Sequence, residues 1–202
     1  METGFAFLDD ILGGVRWDAK YATWDNFTGK PVDGYEVNRI VVSNALAEAL
    51  REARAHAAAL GFGLLVWDGY RPQRAVDRFV QWSAQPEDGR TKDRFYPQID
   101  RAEMFAKGYV AARSSHSRGS AVDLTLYHLD TDELAPMGGG FDLMDERSHH
   151  GASEVSAIEA RNRLALCSIM ERSGFAPYDR EWWHYALVSE PYPDRYFDFP
   201  IS

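Results

Sequence analysis

Between Ser43 and Pro72 the hydrophobic pattern changes period, and this change limits what the chain can become more than any other feature. Leu46, Leu50, Ala53 and Ala57 recur at helical spacing, Ser43 or Asn44 can cap the start, and Gly61 closes the pattern, which predicts a helix over 44–60. The continuous apolar run Phe62-Gly63-Leu64-Leu65-Val66-Trp67 follows at once and reads as a buried strand, ended by the turn Asp68-Gly69-Tyr70-Arg71-Pro72. Apolar residues at 75, 76, 79 and 80 then predict a second helix over 73–82, which Pro86 to Gly89 breaks. A tight turn between a buried strand and a helix is well placed to carry function.

The rest of the chain extends the pattern. Residues 14–40 mix aromatics, β-branched residues and turn formers, and predict short strands with turns at Asn26 to Gly29 and Pro31 to Gly34. Residues 83–105 are polar and broken by prolines, a loop with one short helix near 101–106. Ala121 to Tyr127 alternates, with Val122, Leu124 and Leu126 on one face and Asp123, Thr125 and Tyr127 on the other. Gly138-Gly139-Gly140 marks a sharply bent loop before Phe141 to His150, a long helix is expected over 153–173 with Gly174 after it, and Glu181 to Val188 reads as a strand. Helices interleaved with strands on short turns point to an α+β fold, one domain over residues 1–202 with a mainly antiparallel central sheet flanked by helices.

Composition removes several classes of function. With 202 residues, 45% hydrophobic and 26% charged, the chain can bury a core and matches neither disordered nor fibrous sequences. The longest nearly apolar run, Ala57 to Trp67, is shorter than the roughly 20 residues of a membrane-spanning helix. Met1 to Phe5 does not open a secretory signal, and the single cysteine, Cys167, lies in a helical apolar pattern. A cytoplasmic, reducing location without a membrane partner is expected. A net charge of −9 opposes binding to phosphate backbones, so nucleic acid is not an expected partner; a homo-oligomer stays open.

Two constellations carry chemistry. In Ser115-His116-Ser117-Arg118-Gly119-Ser120-Ala121-Val122-Asp123, a regular strand would put the histidine and the aspartate on opposite faces, so both meet one ion only if Arg118-Gly119-Ser120 bends the chain. In Glu181-Trp182-Trp183-His184, a turn or bulge at the glutamate would turn both polar groups to one cleft. His116, Asp123 and His184 make a three-ligand zinc set that leaves a fourth position for a water, whose pKa such centres bring to about 7. Glu181 outside that set can take and return a proton, and Arg71 in its turn can stabilise charge on an attacked carbonyl oxygen. From spacing alone each piece has a plainer reading: a histidine is more often structural, and Arg71 could brace a loop.

At these residues the chain resembles the VanX-type D-alanyl-D-alanine dipeptidases, zinc peptidases that share a fold with D,D-carboxypeptidases and the hedgehog amino-terminal domain. The likeness runs from Gly4-Phe5 through Arg16 to Phe27, Trp67 to Pro72, Ser114 to Thr125, Met144 to His150 and Glu181 to Tyr185, and ends in Tyr196 to Pro200. It implies one zinc ion on His116, Asp123 and His184, Glu181 as general base and Arg71 beside the tetrahedral intermediate. It further implies a cytoplasmic enzyme that cleaves D-Ala-D-Ala to two D-alanines and so depletes the target of vancomycin. A zwitterionic dipeptide needs a partner for its ammonium and donors for its carboxylate. Asp142 is a candidate for the first, and Ser114, Ser115 and Tyr21 for further hydrogen bonds.

Other residues attract plainer readings. The side chains of His149 and His150 diverge and no third ligand is spaced with them, while His56 and His128 have no constellation at all. Trp182 and Trp183 are expected to pack around the site rather than react. Ser115 and Ser117 flank a histidine without forming a triad. Two competing functions are a D,D-carboxypeptidase acting on peptidoglycan stems and a non-catalytic zinc-binding module.

Overall fold

The computed structural model describes residues 1–202, and its central sheet is assembled on the strand that follows Gly61. In chain order the elements are β1 (Phe5–Phe7), α1 (Leu8–Ile11), β2 (Arg16–Trp17), β3 (Val41–Ser43), α2 (Asn44–Ala59), β4 (Phe62–Asp68), α3 (Gln73–Ser83), α4 (Lys92–Phe95), β5 (Ala121–His128), α5 (Ala157–Arg172), β6 (Phe175–Tyr178) and β7 (Glu181–Leu187). The main sheet has the order β2-β4-β5-β7-β6. β4, β5, β7 and β6 pair antiparallel, and β2 alone lies parallel, at the edge beside β4. β1 and β3 form a separate antiparallel pair. The fold is α+β with a mainly antiparallel sheet, as the sequence implies.

The predicted helices form for identifiable local reasons. Ser43 Oγ accepts the Leu46 N–H at 3.2 Å and starts α2, and Gly61 at φ +80° ends it. The buried face of α2, Leu46, Ala47, Leu50, Ala53 and Ala57, packs on β4 and α5. α5 begins at Ala157, not at 153, because Ser156 and Glu159 cap each other's backbone reciprocally. No helix of the chain is long and apolar enough to cross a membrane.

Three expectations change. Only Arg16–Trp17 forms a strand between residues 14 and 40. The turn that follows is organised by one buried side chain: Asn26 Nδ2 donates to the carbonyls of Thr23 (2.7 Å) and Lys30 (2.9 Å), and its Oδ1 accepts from the Thr28 N–H. β6 was unforeseen because it contains Pro177, which an edge strand accommodates. Both faces of β5 are covered, so Asp123, Thr125 and Tyr127 are as buried as the apolar set opposite them.

Forty-six buried residues make one continuous apolar cluster. The C-terminal segment closes over it and ties together the loops that carry the site. Phe197 N–H donates to Ser117 O at 2.8 Å, and its own carbonyl accepts the Gln73 N–H at 3.0 Å. Phe199 stacks on Tyr70 with ring centroids 4.1 Å apart.

Candidate metal and catalytic site

Strand register places the first polar side chains. Asp68 on β4 lies opposite Asp123 on β5, and Asp123 lies opposite His184 on β7, so the three form a row across one face of the sheet. The register slips between Val66 and Asp68, and this irregularity brings Asp68 onto the row. A second irregularity lies at the β6–β7 hairpin, where Tyr178 opposes Glu181 while Pro177 opposes Tyr185. β7 therefore bulges over Trp182 to His184, and Glu181 Oε2 comes within 4.0 Å of His184 Nδ1.

His116 arrives from a 3-10 turn over His116–Arg118, and Gly119 at φ +66° turns the chain into β5. A Cβ on Gly119 would lie 2.6 Å from the Phe5 ring, so this bend accepts only glycine. His116 Nδ1 is 2.7 Å from Gly69 O. A carbonyl can only accept, so Nδ1 carries the proton and Nε2 offers a lone pair to the site. Gly69 itself presses so closely on Val41 O that a Cβ would sit 2.5 Å from it, which explains a glycine where the carbonyl must hold an imidazole.

His116 Nε2 lies 3.1 Å from His184 Nδ1 and 3.3 Å from Asp123 Oδ2, and His184 Nδ1 lies 3.0 Å from Asp123 Oδ1. One ligand atom from each residue falls within 4.8 Å of the others. Two imidazole nitrogens and a carboxylate facing one another at such range repel unless a cation or a proton lies between them. This donor set fits a zinc ion.

Burial opposes ionisation of Asp123, but His116 and His184 outweigh it and hold the carboxyl far below its usual range. Burial likewise opposes the charged form of His184, yet the hydrogen bond and charge of Asp123 carry its pKa upward. Burial raises Glu181 to about 7, with the negative charge of Asp123 adding to the shift, which suits a group that must take and return a proton near neutrality. Arg71 donates from Nε to Asp68 Oδ2 at 2.8 Å and from Nη2 to Asp123 Oδ2 at 3.3 Å, with its guanidinium over the Tyr21 and Phe79 rings.

These groups face a cavity of about 290 Å³ whose apolar wall includes Tyr21, Phe27, Phe79 and Trp183. Asp142 enters it from a backbone at φ +60° and accepts both contacts of the Tyr21 hydroxyl, at 2.9 and 3.1 Å. Burial, reinforced by the charge of Asp123, raises its pKa well above the carboxylate range. A wider, polar depression of about 970 Å³ adjoins the cavity at Tyr109 and Met144 but contains none of the ligand set.

The family model of the D-Ala-D-Ala dipeptidases matches residues 1–202, the whole chain. The chain belongs to the D-Ala-D-Ala dipeptidase family. It is 68% identical over 202 residues to the D-alanyl-D-alanine dipeptidase of Enterococcus faecalis, covering 100% of both chains. The dipeptidase of Escherichia coli is 36% identical over 177 residues, 88% of this chain and 81% of that one. A solved structure of the vancomycin resistance D,D-pentapeptidase VanY with Zn(II) gives a TM-score of 0.43 at 18% identity, covering 75% of each chain.

Within this dipeptidase-family chain, the structure brings His116, Asp123, His184, Glu181, Arg71, Asp142, Tyr21, Ser114 and Ser115 to one cavity. One of the expected hydrogen-bond donors is already engaged, since the Tyr21 hydroxyl donates to Asp142; Ser114 Oγ accepts the His116 N–H at 3.2 Å and keeps its own O–H to donate. His149 and His150 stay apart from the ligand set, and Trp182 and Trp183 are buried in the core. Sequence reasoning missed Asp68, Phe79, Tyr109 and Tyr178. The signal available for Asp68 was its place three residues before Arg71, the spacing of a local ion pair.

Proposed function

We propose that the chain hydrolyses D-Ala-D-Ala to two D-alanines, using one zinc ion held by His116, Asp123 and His184. The observation that carries this reading is the convergence of His116 Nε2, His184 Nδ1 and the Asp123 carboxylate at a small cavity that also holds Glu181 and Arg71. When bound at such a centre, zinc polarises the scissile carbonyl and acidifies the attacking water. Glu181 takes the proton of that water at its carboxylate and returns it to the amide nitrogen as the C–N bond breaks. Arg71 donates to the carbonyl oxygen as negative charge develops there. Asp142 receives the substrate ammonium, and the aromatic wall of Tyr21, Phe27, Phe79 and Trp183 packs against the small side chains. The 68% identity over the full chain to a D-alanyl-D-alanine dipeptidase supports the choice of substrate. The small volume of the cavity, about 290 Å³, favours a dipeptide over the peptidoglycan stem that a D,D-carboxypeptidase would accept.

In a cell this activity would remove the dipeptide before it enters peptidoglycan precursors, and a cytoplasmic location would give it access to that pool. The test compares zinc-loaded wild-type protein with Glu181→Gln on D-Ala-D-Ala, on L-Ala-L-Ala and on a pentapeptide stem. Wild type should release free D-alanine from the first alone. The variant should keep stoichiometric zinc and lose about 10²–10⁴-fold in kcat. Cleavage of the stem in preference to the dipeptide would overturn the substrate, and zinc without cleavage of any small peptide would favour a non-catalytic module.

A further inference from the structure

The roles outlined above leave one fully buried carboxylate without a task. Asp68 Oδ2 accepts from Arg71 Nε at 2.8 Å and lies 3.6 Å from His116 Nδ1, while Oδ1 accepts from the Tyr35 hydroxyl at 2.7 Å. Tyr35 is itself buried, with its ring 5.6 Å from that of Tyr21. Arg71 Nε and Nη2 donate to Asp68 and to Asp123, the latter at 3.3 Å, so Nη1 is the guanidinium nitrogen not used in these two bonds, and Arg71 lines the cavity.

The Tyr21 and Phe79 rings can set the tilt of a guanidinium, but stacking does not stop it sliding or rotating in its own plane. A hydrogen bond along the plane does. If Asp68 served only to neutralise Arg71, the Asp123 carboxylate at 3.3 Å would already supply the charge, and Tyr35 would be free to bond elsewhere. Tyr35 instead fixes one oxygen of Asp68, which aims the other at Nε. We propose that Asp68, held by Tyr35, is a positioning residue that fixes the guanidinium of Arg71 so that Nη1 meets the oxygen of the attacked carbonyl. The kinetic arm of the test rests on the dipeptidase reading; the spectroscopic arm does not.

A double-mutant cycle between Asp68→Asn and Arg71→Ala tests it. Asp68→Asn should keep its zinc, lower kcat by about 10–100-fold and leave KM within about threefold, because the lost interaction belongs to the transition state. In the Arg71→Ala background the same substitution should cost almost nothing, since its effect passes through Arg71. Tyr35→Phe, which preserves packing, should act in the same direction with a smaller loss, and it decides the matter if Asp68→Asn fails to fold. Without substrate, the Arg71 Nε–H resonance should persist in wild type and be lost to solvent exchange in Asp68→Asn or weakened in Tyr35→Phe. An undiminished loss in the Arg71→Ala background, release of zinc from Asp68→Asn, or an unchanged Nε–H signal would overturn the proposal. Wild-type protein inert toward D-Ala-D-Ala would instead overturn the substrate reading, and the Nε–H signal would still decide the role of Asp68.

Discussion

Asp142 shows how one residue can be costly before a ligand arrives and useful afterwards. Its carboxyl is buried at the cavity wall, its backbone sits at φ +60°, and its one visible partner is the neutral Tyr21 hydroxyl. Burial and the nearby negative charge of Asp123 raise its pKa, so in the free protein it holds its proton to a higher pH than an exposed carboxyl does. An arriving ammonium reverses this balance and favours the carboxylate. Over the pH range in which the free group holds its proton, binding of a dipeptide should release that proton from Asp142 to solvent, and affinity should rise with pH. Calorimetry on the Glu181→Gln protein, in buffers of different ionisation enthalpy, measures that proton directly. Asp142→Asn should abolish the release and weaken binding by about 10–100-fold, the worth of a hydrogen bond to a charged group. A proton count unchanged in Asp142→Asn would remove Asp142 from ammonium recognition.

At the scale of elements, the site depends on turns, and the turns depend on the C-terminal segment. The turn after β4 supplies Gly69 O and Arg71, the 3-10 turn before β5 supplies His116, and Phe197 bonds to the backbone of both neighbourhoods, at Gln73 and Ser117. Its ring packs edge-on against Phe5 and Tyr192 and is buried. Phe197→Ala should therefore cost about 3–5 kcal/mol in stability, measured by urea unfolding. It should also lower zinc affinity in protein that remains folded, because without its buried ring the segment no longer holds in place the Phe197 backbone that bonds to both turns. A stability loss with zinc affinity unchanged would mean that the turns hold themselves. α2, β4 and β5 were legible because apolar period and a cap or glycine agree in each, as at Ser43 and Gly61. β6 was not, because Pro177 argues against a strand until its edge position is known. For the site, the bends at Arg118 to Ser120 and at Glu181 were legible as requirements of the chemistry. The row formed by Asp68, Asp123 and His184 was not, since it depends on strand register and on the slip at Val66, and neither is written in any local pattern.

Over the whole molecule, the proposed metal centre would link folding to pH. In the metal-free chain His184 is raised above its ordinary 6.5, so its contribution to stability is fully present below that value and is lost as pH rises through the folded-state pKa. Asp123 is depressed below its ordinary 3.8, so its contribution is present above that value and is lost only as pH falls through the much lower folded-state pKa. The ion pair thus serves the metal-free protein best in mild acid, above 3.8 and up to about 6.5, where a proton occupies the place of the ion. Zinc must displace that proton, so its affinity, and the stabilisation it confers by binding the folded state alone, increase as the medium becomes more alkaline. Calorimetric scans of zinc-loaded and chelator-treated protein should give a gap in Tm that widens from about pH 6 to about pH 8. The widening should come mainly from a falling Tm of the metal-free form, because that form alone loses the His184–Asp123 pair. In Asp123→Asn the gap should shrink at every pH, since one ligand charge is gone. A gap that stays constant or narrows toward alkaline pH would show that His184 holds no proton for the metal to displace.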